Sequence, residues 1–180
     1  LYIRVDSSTL SFCWGPARER EDKAGFSGVD EVVQAAVREA VAPIVAGMGF
    51  ALVEARHNRS HRQNHVSVVV YRPQGVGIED CALISRTLYP RLELIEGLED
   101  LRLEVSSPGL DRVIKGFEEF EIFKGRGVRV LRVGSDDFLR GIIDEVKGDT
   151  LVVNRRGERI EIRQAEIRKA RLDSAEEVTE

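Results

Sequence analysis

Cysteine is scarce in this 180-residue chain: Cys13 and Cys81 stand far apart, too few for a disulfide framework or an all-cysteine zinc site. A reducing, cytoplasmic setting is the economical reading. Long apolar runs are missing as well, and none approaches the roughly 18 residues that a membrane helix requires. Leu1 to Val5 lack the basic start and apolar block of a secretory signal. Aromatic residues make up only 6% of the chain, without the aromatic-rich motif that stacks single-stranded bases, so base-specific reading of RNA is not expected. Catalytic patterns are equally thin. Ser107 is not in a Gly-x-Ser-x-Gly elbow, and Gly75-Val76-Gly77 is a lone glycine pair that reads as a turn. His57, His61 and His65 recur every four residues, which on a helix would make a metal-binding stripe. Asn58, Ser60 and Asn64 make the stretch a loop instead. Neither catalysis, nor a cofactor, nor a metal is expected.

What is present is a hydrophobic share of 42%, enough to argue against global disorder in a chain long enough for one domain or two small ones. The formal net charge of -4 conceals an uneven distribution. Residues 29–108 carry 8 Lys+Arg against 11 Asp+Glu, whereas residues 109–172 carry 15 against 12. A swing of this size can arise by chance. The basic C-terminal third is nonetheless a better guide to partners than the whole-chain balance. Residues 1–28 carry the charge run Arg18 to Lys23 without periodicity and read as a poorly ordered leader. Residues 173–180 read as an acidic, solvated tail.

From Val33 the apolar spacing is helical: Val33, Val37, Ala40, Val41, Ile44 and Met48 share one face. Ser27 or Asp30 can cap its start, Gly49 can end it, and Pro43 is expected to kink it or shorten its last turns. Phe50–Arg56 and Val66–Tyr71 read as strands joined by the polar loop His57–His65. A second helix follows Gly77, with Ile78, Cys81, Ile84, Leu88 and Leu92 on its buried face and Pro90 in its last turn. Leu101, Leu103 and Val105 alternate with charged residues in a third strand. The order α-β-β-α-β predicts a three-stranded sheet with two helices on one face, an α+β domain over 29–108. After a linker at 109–125 the pattern changes to short strands over 126–172, at Val128–Val133, Phe138–Val146, Leu151–Val153 and Arg159–Ile162, with Ile167 in a further one. Gly141 within a strand suggests the bend of a small, partly open β-barrel.

The segment Leu103-Glu104-Val105-Ser106-Ser107-Pro108-Gly109-Leu110-Asp111-Arg112 resembles the interdomain signature of the ribosome maturation factor RimP family. Val41-Ala42-Pro43, Gly49 to Val53, Gly75 to Cys81 and Phe120 to Gly125 agree with the family in order and spacing. The resemblance covers about residues 30–171. It implies an N-terminal α/β domain followed by an SH3-like or Sm-like β-barrel. The function it implies is that of a non-enzymatic assembly factor on the free, maturing small ribosomal subunit, whose barrel contacts a ribosomal protein. The sequence departs from the family at Val113, where proline is frequent, at Tyr71, where aspartate is common, and at Gly77, where a polar cap is usual.

Read physically, Pro108 fixes φ and Gly109 permits positive φ, so Ser107 to Arg112 forms a tight bend. Ser107, Pro108, Gly109, Leu110, Asp111 and Arg112 are therefore either a structural hinge or partner contacts. Two groups of cations follow. Lys115, Lys124, Arg126, Arg129 and Arg132 precede or enter the barrel; Arg155, Arg156 and Arg159 surround its last hairpin, with Arg163, Arg168 and Lys169 beyond. Forked guanidinium groups suit the phosphates of ribosomal RNA, and a solvated barrel surface explains the same charges without a partner. The expected partners are ribosomal RNA and a ribosomal protein of the small subunit, met by a monomer with no membrane role. The rivals are a general RNA-binding regulator built on a self-associating Sm-like barrel and a metal-dependent hydrolase using the three histidines.

Overall fold

A computed structural model describes residues 2–6, 9–13, 28–60 and 63–175 of the chain. The helical spacing that begins at Val33 becomes helix α1 (Gly28–Gly47), which buries Val33, Val37, Val41 and Val45 on one face. Asp30 lies inside its first turn rather than at the cap, and Ser27 lies outside the described residues. Pro43 does not end the helix, which runs on to Gly47. The end is set by Gly49, whose φ of +81° allows Phe50 N–H to reach back to the Val45 carbonyl at 3.1 Å.

Two strands follow, β3 (Ala51–Ser60) and β4 (Gln63–Tyr71), preceded near the N-terminus by β1 (Tyr2–Asp6) and β2 (Thr9–Cys13). The stretch His57–His65, expected as a loop, is therefore the far end of a hairpin, paired as far as Ser60 with Gln63. Polar composition misled here because several of these polar groups find partners within the fold: His57 Nε2 and Asn64 Oδ1 are 2.8 Å apart, and Asn64 Nδ2 donates to the Glu99 carbonyl at 2.5 Å, while His57 Nδ1 is buried without a partner among the described residues. Helix α2 (Ile78–Leu92) buries Cys81, Ile84, Ser85, Leu88 and Leu92. Its glycine N-cap is supported by Asp80, whose carboxylate accepts from Gly77 N–H at 2.8 Å and from Arg72 Nη2 at 2.9 Å.

Strand β5 (Leu101–Ser106) lies parallel to β4, and the sheet order is β2-β1-β5-β4-β3. The three expected strands are neighbours in it. Two more, from the segment expected as a leader, extend the sheet beyond β5, and the remainder of that segment lies outside the described residues. Leu101, Leu103 and Val105 of β5 join Val66, Val68 and Val70 of β4 in one core with the buried faces of α1 and α2. Each such fully buried side chain contributes about 1.5–3 kcal/mol.

By contact the chain divides into two units, Leu1–Pro108 and Gly109–Glu180. The second holds β6 (Val113–Ile114), α3 (Glu119–Ile122), β7 (Gly127–Arg132), β8 (Phe138–Lys147), β9 (Thr150–Arg155), β10 (Glu158–Arg163) and β11 (Ile167–Leu172). Residues 109–125, expected as a linker, thus contain a strand and a helical turn of the second unit. Its sheet order is β10-β9-β8-β7-β11-β6 with antiparallel neighbours throughout. Val128, Val130, Leu139, Ile143, Leu151, Val153, Ile162 and Leu172 are buried, as are Phe120 and Phe123. The protein is α+β, and no helix among the described residues is long and apolar enough to cross a membrane. Of the expected tail, Glu176 to Glu180 lie outside the described residues.

Candidate nucleic-acid interface

The bend after β5 is closed by Arg112 N–H donating to the Gly109 carbonyl at 3.1 Å, which puts Leu110 and Asp111 at the centre of a β-turn. Gly109 is not among the glycines of positive φ, so the expected use of its conformational freedom is not made. Leu110 is 67% exposed and the Asp111 side chain 75% exposed, whereas Ser107 and Pro108 are half-buried. Arg112 turns inward. Its Nε and Nη2 donate to Glu119 Oε2 and Oε1 at 3.1 and 3.2 Å, and both side chains are more than nine-tenths buried. Leu172 N–H donates to the Arg112 carbonyl at 2.9 Å, so the same residue also fixes β11. The signature therefore separates into an exposed tip, Leu110-Asp111, and an internal clamp, Arg112.

The cations read from sequence fall at several places. Lys115 and Lys124 are exposed around α3, and Arg126 is half-buried, its carbonyl accepting from Ile143 N–H at 2.9 Å. Arg129 and Arg132 both lie on β7, but three positions apart they alternate to opposite faces. Arg155 and Arg156 are exposed at the β9–β10 hairpin, where Arg156 takes a φ of +54°. Arg159, on the neighbouring strand, is engaged by Asp144 at 2.9 Å and Glu145 at 3.1 Å. Hydrogen bonding from Lys147, with Arg159 adding to it, holds the Glu145 carboxyl below its ordinary range.

Two arginines that sequence reasoning passed over complete a row with Arg129. In the register of the sheet, Arg129 stands opposite Arg140 of β8 on one side and Arg171 of β11 on the other. Arg171 Nη1 lies 3.7 Å from Asp111 Oδ2, and Arg140 Nε lies 3.6 Å from Asp173 Oδ2. Arg129 is 5.8 Å from the ring centroid of Phe138, and its Nε is buried without an acceptor. Alternation within each strand was readable from the sequence. The cross-strand register that unites three strands was not, because a slip of one residue reverses every face.

His57 and His65 do not converge. His57 pairs with Val66 and is buried on the helix-covered face, whereas His65 pairs with Asn58 and points to the other face, 3.5 Å from Glu104. His61 lies outside the described residues. Among the described residues no three His, Cys, Asp or Glu side chains are grouped to hold a metal ion.

Comparison with known families adds one finding to this geometry. Residues 40–111 match the model of the RimP N-terminal domain. The matched region runs from the middle of α1, through the hairpin, α2 and β5, to Asp111 in the exposed turn. It ends one residue before the arginine that clamps the second unit. The match supports the resemblance seen in the Ser107–Arg112 signature, and with it the assignment of this chain to RimP, a family of ribosome maturation factors.

Proposed function

We propose that the protein is a non-enzymatic assembly factor that binds the free, immature small ribosomal subunit and promotes its maturation. The observation that carries this reading is the match of residues 40–111 to the RimP N-terminal domain, continuous with a signature that runs on to Arg112. The second unit is read as an SH3-like or Sm-like barrel that engages a ribosomal protein of that subunit, with Leu110 and Asp111 presented at its entry. Its cations meet ribosomal RNA. The factor acts in the cytoplasm as a monomer, and it promotes maturation by binding one conformation of the particle more tightly than its alternatives.

Sedimentation tests the reading. The purified protein is expected to co-migrate with free small subunits and to leave paired ribosomes unoccupied. Co-migration with paired ribosomes but not with free small subunits overturns it.

A further inference from the structure

Three arginines stand side by side on one face of the second unit, and two carboxylates attend them. Neighbouring strands lie about 4.8 Å apart, and like charges placed directly opposite one another repel. The fold answers this repulsion incompletely. Asp111 and Asp173 approach the outer members, Arg171 and Arg140, at 3.7 and 3.6 Å, longer than a charge-assisted hydrogen bond. The central Arg129 has no carboxylate in ion-pair reach among the described residues, and its buried Nε lacks an acceptor. A buried donor left without an acceptor is unfavourable until one arrives.

We propose that the row Arg171–Arg129–Arg140 binds phosphodiester groups of RNA, with Asp111 as a displaceable counter-ion that occupies Arg171 until the RNA arrives. The proposal rests on the reading of the protein as a factor that meets ribosomal RNA, and it names the site and a competitor within the chain. Guanidinium forks match phosphate oxygens in pairs. Phe138, 42% exposed beside Arg129, suits a nucleotide chain, whose bases carry π-faces, better than an acidic peptide. The Asp111 side chain is 75% exposed in the turn, so exchange of its carboxylate for a phosphate requires no rearrangement of the core.

The test titrates a fluorescein-labelled, mixed-sequence, single-stranded RNA of roughly a dozen nucleotides with the full chain, by anisotropy over a salt series. Arg129→Ala, Arg140→Ala and Arg171→Ala are each expected to weaken binding roughly tenfold and to lower the salt slope by about 0.7. Arg38→Ala removes the same charge from an exposed position on α1 and is expected to change binding by less than about twofold. Asp111→Asn is expected to tighten binding about two- to fivefold. This last variant alters an exposed turn residue, so it keeps the test independent of folding. Row variants no weaker than Arg38→Ala, weaker binding by Asp111→Asn, or displacement of the RNA by an equal charge of polyglutamate each overturn the proposal. Sedimentation with small subunits in parallel separates the two readings: wild-type co-migration that is insensitive to the row removes the row alone. RNA binding without co-migration removes the assembly reading alone.

Discussion

Arg112 and Glu119 form a two-pronged ion pair that water scarcely reaches, their side chains 8% and 7% exposed. It ties the last residue of the Ser-Pro-Gly-Leu-Asp-Arg signature to helical turn α3 inside the second unit. Burial of two charges is offset by their attraction only while both are present. Glu119→Ala is therefore expected to destabilise the second unit by about 3–5 kcal/mol, measured by denaturant unfolding. The double replacement Arg112→Met with Glu119→Leu is expected to recover most of that loss, because well-packed apolar groups replace such pairs at little cost. A double variant as unstable as the single one refutes this account of the pair.

Gly141 is required by proximity rather than by backbone angle. A Cβ at this position meets the Asn154 carbonyl oxygen at 2.5 Å and Val153 Cγ1 at 2.6 Å. The first of these is backbone of β9 and cannot swing aside. Gly141→Ala is expected to cost about 1–3 kcal/mol, seen as a lower denaturation midpoint. An unchanged midpoint means that β8 and β9 do not approach this closely.

Gln34 of α1 covers the edge of the first sheet. Strand β3 is terminal in the sheet order, and its Ala55 carbonyl and His57 N–H face away from β4. The Gln34 amide meets both, donating to the Ala55 carbonyl at 2.8 Å and accepting from His57 N–H at 2.7 Å. One side chain stands in for a residue of a further strand. Gln34→Leu leaves both groups without that partner and is expected to destabilise the first unit by about 1–3 kcal/mol, with faster amide exchange at His57. Exchange at His57 equal to that of the wild type contradicts the assignment.

Periodicity carried the helices and most strands because burial repeats with the local geometry: the buried face of α2 and the alternation in β5 were both legible. Four features were not. His57 to Asn64 reads as a loop by composition, yet partners distant in sequence, Gln34 and Glu99, make it strand by satisfying its polar groups. Strand β6 has two residues, too short for any period, and exists because β11 pairs with it. The arginine row depends on the register of three strands, and the sequence alone points only to Arg129 among its members. The inward orientation of Arg112, the last residue of the signature, is a tertiary fact that neighbouring residues do not encode.

Cys81 gives the last prediction. It is buried on the core face of α2, and desolvation, reinforced by the adjacent Asp80 charge, pushes its thiol from 9.0 up to about 11. Between those values the folded protein retains the thiol proton and the unfolded chain has lost it. The folded state then binds more protons, so stability falls as pH rises through this window and is fully present below pH 9. The loss attributable to this group is at most about 2–3 kcal/mol, since each pKa unit corresponds to about 1.4 kcal/mol. Cys81→Ala is expected to lose less stability than the wild type between pH 9 and 11, measured as the change in unfolding free energy for each protein. The native thiol is also expected to resist alkylation at pH 8 and to react on unfolding. Parallel stability profiles for the two proteins, together with rapid alkylation of the native chain, would show that water reaches the α2 core face.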